Sequence, residues 1–110
     1  MSLTVNIYYK GKNGSALAFA REMTESGVVG RILAEEGNER YEYFVPLNDP
    51  ETVLLIDAWK DKSALDRHHA SPMMAEIAAL RDKYDLTMRV EKYVSDTDAF
   101  GEEDKKFIRS

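Results

Sequence analysis

The sequence contains no cysteine, which excludes a disulfide framework, a thiolate nucleophile and iron–sulfur ligation. Its only histidines, His68 and His69, are adjacent, and two neighbouring imidazoles do not make a zinc site. No apolar run approaches the roughly 20 residues that span a bilayer, and the opening MSLTVNIYYK lacks the basic patch and long apolar core of a signal peptide. The chain is therefore expected in the cytoplasm, with no membrane partner. An excess of positive charge is missing too. Fifteen Lys and Arg are scattered among twenty Asp and Glu, for a net charge of −5, so nucleic-acid phosphates gain little from this surface. What remains is a globular balance, 44% apolar and 32% charged over 110 residues, enough for one domain that folds without staples.

Apolar periodicity orders the chain. Leu3 to Tyr9 alternates as a half-buried strand with Asn6 on its less apolar side. After Gly11 and Gly14, Ser15 can cap a helix with Ala16, Phe19, Ala20 and Met23 on one stripe, ending at Gly27. Val28, Val29, Ile32 and Leu33 form a shorter helical piece. Arg40 to Val45 is the next strand, and PLNDPE, residues 46–51, is the loop of a hairpin. Asp61 or Ser63 can cap a helix through His69. Ser71-Pro72 then imposes a kink and starts a second helix with Met73, Ile77, Leu80 and Tyr84 on one stripe. Leu86 to Val94 alternates again as the fourth strand.

The resulting order predicts an α+β, ferredoxin-like split β-α-β plan: a four-stranded antiparallel sheet with helices on one face. Residues 1–95 would form this domain and residues 96–110 a polar tail, loose or laid across a partner. The third strand, Val53 to Trp59, is apolar at both parities, so both its faces should be covered. A homodimer packed through the sheet face is the simplest way to cover the second one. The same strand carries Asp57 and the sole tryptophan, Trp59, and both histidines follow within ten residues of it. Chemistry is expected there.

The segment 35–72 resembles the antibiotic biosynthesis monooxygenase domain family, of the dimeric α+β barrel superfamily. The resemblance rests on Glu36, Gly37, Asn38, Tyr41, Asp49, Pro50, Asp57, Trp59, Ala64, Leu65, His68, Ser71 and Pro72. It implies a metal-free, cofactor-free oxygenase with O₂ as co-substrate, acting on a small aromatic quinol or polyphenol; relatives degrade haem or isomerise small metabolites. Three departures stand out. Aspartate replaces the usual glutamate at Asp57, Met73 stands where some members carry a histidine, and Ile77 and Ala78 occupy the region of the haem-ligating histidine, which disfavours haem.

His68 is the candidate base, because an imidazole titrates near working pH; the alternative is that it only fills space beside Leu65 or hydrogen-bonds a carbonyl. Asp57 can orient His68 or take a proton itself once buried, or simply be satisfied by Arg89 or a tyrosine hydroxyl. In the oxygenase relatives an asparagine on the first strand faces the pocket, so the resemblance implies that the Asn6 amide holds a substrate oxygen or a peroxide intermediate; the alternative is that it pairs with a neighbouring strand side chain. Trp59, Tyr8, Tyr43 and Met73 are expected to wall a substrate site, with Tyr41, Phe44 and Met74 beside them; the alternative at these spacings is plain core. His69, rotated about 100° around the helix, is assigned to the exterior or an interface. Besides the monooxygenase, an isomerase or lyase using the same pocket and a non-catalytic ligand-binding module are the rival readings.

Overall fold

The computed structural model describes residues 2–96 and 100–109. Its elements are β1 (Leu3–Lys10), α1 (Ser15–Glu25), α2 (Val28–Leu33), β2 (Asn38–Phe44), β3 (Thr52–Trp59), α3 (Lys62–His69), α4 (Met73–Lys83), β4 (Thr87–Val94) and α5 (Glu102–Lys105). The sheet runs β2-β3-β1-β4, antiparallel throughout. This is the α+β, ferredoxin-like arrangement, with the helices packed on one face. Among the described residues no helix is long and apolar enough to cross a membrane.

Register decides which residues meet. Val5 lies opposite Asp57, and Asp57 opposite Tyr41. Strand side chains alternate in direction, so Leu3, Val5, Ile7 and Tyr9 share the helix-covered face with Val53, Leu55, Asp57 and Trp59. Phe19, Met23, Ile32 and Leu65 close over them from the helices. Thr4, Asn6 and Tyr8 point to the other face, in rows with Ala58, Ile56 and Leu54. Among the described residues that face carries no helix.

The helix boundaries follow local chemistry. Asp61 caps α3, its carboxylate accepting the Ala64 N–H at 2.9 Å. The Ser71-Pro72 break separates α3 from α4 as expected. Ser15 is not the cap of α1: left-handed Gly14 holds that position, and the Ser15 hydroxyl accepts the Lys12 N–H instead. Leu33 is also exposed, because the last turn of α2 carries it about 100° away from buried Ile32. At the sheet edge the helices stop short of β4, leaving Met88 41% and Val90 55% exposed on the helix side. Beyond β4, Phe100, Phe107 and Ile108 are exposed around α5, and the tail positions 97–99 and 110 lie outside the described residues.

Candidate active site

Between β1, β3 and α4 lies a cavity of about 90 Å³, lined by Tyr9, Tyr41, Asp57, His68, Ile77, Arg81 and others, with His69, Met74 and Met88 also on its wall. Wider depressions exist, such as one of about 420 Å³ bordered by Tyr8, Lys10, Asp49 and Arg89. Their charged groups are largely in water, however, whereas Asp57 and His68 are 4% and 3% exposed. Buried titratable groups, some of them perturbed, converge on the smaller cavity and mark it as the candidate site.

Asp57 reaches the cavity from the middle of β3. Its Oδ1 accepts the indole N–H of Trp59 at 2.7 Å. Burial is the chief force on this carboxyl and pushes it from 3.8 up to about 6, while the charge of His68 and the Trp59 hydrogen bond pull it back and Glu35 adds to the rise. The cavity's phenols are raised as well. Burial, then the Asp57 charge, pushes Tyr9 up to about 12, with Arg81 opposing; burial above all drives Tyr41 upward. At neutral pH the tyrosines are therefore hydroxyl donors and acceptors.

His68 comes from the last turn of α3. Its ring stacks on Trp59, centroids 4.7 Å apart and planes 28° apart. The Nδ1 atom lies 3.0 and 3.2 Å from the two carboxylate oxygens of Glu35. Glu35 sits in the turn after α2, which Gly37 allows to lie flush against α3. Gly37 has φ of 86°, and a Cβ there would fall 2.6 Å from Cβ of Ala64, so only glycine permits this approach. A bidentate pair between Arg31 and Glu76, at 2.9 and 2.8 Å, ties α2 to α4 on the outside.

Several expectations change here. His68 is met by Glu35 and not by Asp57, which is engaged with Trp59. Arg89 is not the partner of Asp57 either; it lies on the opposite face, its guanidinium 3.9 Å from the centroid of Tyr8. Asn6 and Tyr8 also point to that face, because the β1–β3 register pairs Val5 with Asp57, so neither can touch anything bound in the cavity. Met73 borders a separate outer depression with Glu35, Glu36, Arg67 and Ser71. Tyr43 and Trp59 support the cavity from behind: Tyr43 packs edge-on against Tyr41 and Phe19. Ile77 and Ala78 do line it, and His69 is exposed. The sequence reading missed Glu35 and the cavity roles of Tyr9 and Arg81. An acidic turn residue was visible, but the resemblance had settled on Glu36.

Asp57 makes a sharp prediction about stability. Folding raises its pKa, so the native state holds this proton more tightly than the unfolded chain does. The associated stability is present below about pH 4 and is lost as pH rises through 6, a cost of about 3 kcal/mol at neutral pH. Asp57→Asn keeps an oxygen for the Trp59 N–H. Denaturation across pH should show the variant gaining on the wild type by up to about that amount at pH 8 and by nothing near pH 4. Parallel curves would mean that Asp57 does not titrate this way.

Residues 2–80 match the model of the antibiotic biosynthesis monooxygenase family. No curated protein matches the sequence. Among solved structures, a conserved protein from Methanosarcina mazei Go1 is similar, with 26% identity and a TM-score of 0.73 over 84% of this chain and 91% of that one. PA3566 from Pseudomonas aeruginosa has 23% identity and a TM-score of 0.70, covering 86% and 93%. SnoaB from Streptomyces nogalater, described as a cofactor-independent oxygenase, has 14% identity and a TM-score of 0.73, covering 87% and 94%; at that identity the likeness is one of fold.

Proposed function

The chain belongs to the antibiotic biosynthesis monooxygenase family, and on that premise we propose that it is a cofactor-independent monooxygenase of a small quinol-like or polyphenolic molecule, with O₂ as co-substrate. The observation that carries this reading is the convergence of the buried side chains Asp57 and His68 on one cavity. His68 removes a proton from a phenol hydroxyl or from the activated carbon of its keto tautomer. The resulting anion is electron-rich enough to pass an electron to O₂, and recombination forms a peroxide. For a CH₂ carbon the balance closes without added reductant: R₂CH₂ and O₂ give R₂C=O and H₂O. The chain's contribution is orientation, exclusion of water and hydrogen bonds to the oxygen. With Asn6 on the far face, the donors at hand are Tyr9, Tyr41 and Arg81. A cavity of about 90 Å³ favours a single-ring substrate, since typical ligand pockets are about 300 Å³ or more. Larger rings require Met74 and Met88 to move.

The test is oxygen uptake with a panel of single-ring hydroquinones and catechols, corrected for autoxidation. Uptake above background that disappears in His68→Ala supports the proposal. The position of Asn6 favours one rival, because an isomerase or lyase needs the base and no oxygen-site donor from β1. Equal product yield with and without O₂ would decide for that rival.

We also propose that the open sheet face packs against a second copy. Ile56 and Leu54 are half-buried at its centre, Asn6 Oδ1 is buried there with no hydrogen-bond partner among the described residues, and both edges carry the same motif. On β2 it is Arg40–Glu42, paired at 2.7 Å, with Phe44; on β4 it is Arg89–Glu91, paired at 2.9 Å, with Tyr93. A face bearing both charges at each rim can complement itself, as an isologous interface requires. Light scattering should give twice the 12.5 kDa chain mass, and Ile56→Lys should halve it. A monomer in the wild type would refute the interface.

A further inference from the structure

We propose that Glu35 is the positioning residue of the base: it takes the Nδ1–H of His68, leaves Nε2 as the proton acceptor on the cavity side, and balances the charge when the imidazolium forms. The inference rests on the reading of His68 as the base. A carboxylate only accepts hydrogen bonds, so both of its oxygens at 3.0 and 3.2 Å from Nδ1 require the hydrogen of the neutral ring to sit on Nδ1. The Trp59 ring stacked on the imidazole resists a ring flip. The indole N–H does not compete for the histidine, because Asp57 already receives it.

The two carboxylates therefore divide the work by depth. Asp57 is sealed in the cavity wall. The Glu35 side chain is 19% exposed and borders an outer depression with Glu36, Arg67 and Ser71, so the imidazole lies between the cavity and a carboxylate in touch with water. The other titratable groups that line the same cavity are Asp57 from β3, Tyr41 from β2, Tyr9 from β1, His69 from α3 and Arg81 from α4. Among the described residues none of these is hydrogen-bonded to Nδ1, so the tautomer follows from the Glu35 contact.

The first measurement needs no substrate. Nitrogen-15 NMR of the wild type at pH 8 should show His68 as the Nδ1–H tautomer, and Glu35→Gln, whose amide can donate as well as accept, should mix or invert it. An Nε2–H wild-type ring would overturn the proposal even if the variant failed to fold. With a turned-over quinol, Glu35→Gln should lower kcat about 10- to 100-fold and move the acidic limb of the kcat/KM profile to lower pH. Glu35→Asp should restore part of both. A variant with unchanged tautomer and profile would reduce Glu35 to a structural contact. Loss of the oxygenase reading alone would leave the NMR result standing, so the two failures are separable.

Discussion

Replacing His68 with alanine is expected to lower turnover about 10²- to 10⁴-fold, the range a positioned general base contributes. The fold should survive. His68 is buried, but it lies at the end of α3 and leaves behind a space continuous with the existing cavity, so the stability loss should fall within about 1–3 kcal/mol. The imidazole also touches the cavity, the Trp59 ring and Glu35 together. Its removal leaves the Glu35 carboxylate half-buried without its partner, which water in the outer depression can offset. Steady-state oxygen uptake, paired with a thermal melt of the same sample, separates a lost base from a lost fold. Turnover within a factor of about three of the wild type would remove His68 from the chemistry.

Trp59→Ala should have the largest effect on stability. Trp59 is fully buried, and truncating such a side chain costs about 3–5 kcal/mol through lost transfer energy and the cavity left behind. The change also removes the N–H that satisfies Asp57, adding a buried acceptor penalty of about 1–3 kcal/mol. For a domain of this size each kcal/mol lowers Tm by about 4–8 °C, so a drop of tens of degrees is expected if the chain folds at all. Trp59→Phe divides the two terms. It keeps most of the apolar contact and loses the hydrogen bond, so its deficit should be small near pH 4 and should grow above pH 6, where the wild-type carboxylate is ionised. A deficit independent of pH would show that packing, and not the Asp57 bond, is what Trp59 supplies.

The strands and helices were legible because their cues are local. The alternation Leu3, Val5, Ile7, Tyr9 marked β1, PLNDPE marked the hairpin loop, and Ser71-Pro72 marked the break between α3 and α4. The stripe Met73, Ile77, Leu80, Tyr84 likewise faces the core. The neighbourhood of Asp57, Trp59 and His68 was legible for a related reason: a strand end and the helix after it must lie close together.

Two parts of the site were not legible. Parity alone separated Asn6 from Val5, but which of them shares a face with Asp57 depends on the β1–β3 register, and register arises from long-range packing. The resemblance suggested a pocket-facing asparagine, and the observed pairing of Val5 with Asp57 turns Asn6 away. Glu35 was hidden because its contact with His68 spans 33 positions and begins in a turn without periodicity. The faint signal was Gly37, whose missing side chain lets the turn approach α3.

The most direct test is a crystal structure of the protein soaked without oxygen in a single-ring hydroquinone. The ring should lie between β1, β3 and α4, with one hydroxyl within about 3 Å of His68 Nε2 and Asp57, Tyr9 or Arg81 around it. A hydroquinone bound instead on the open face against Tyr8 and Arg89, or none bound at saturating concentration, would contradict the placement of the active site.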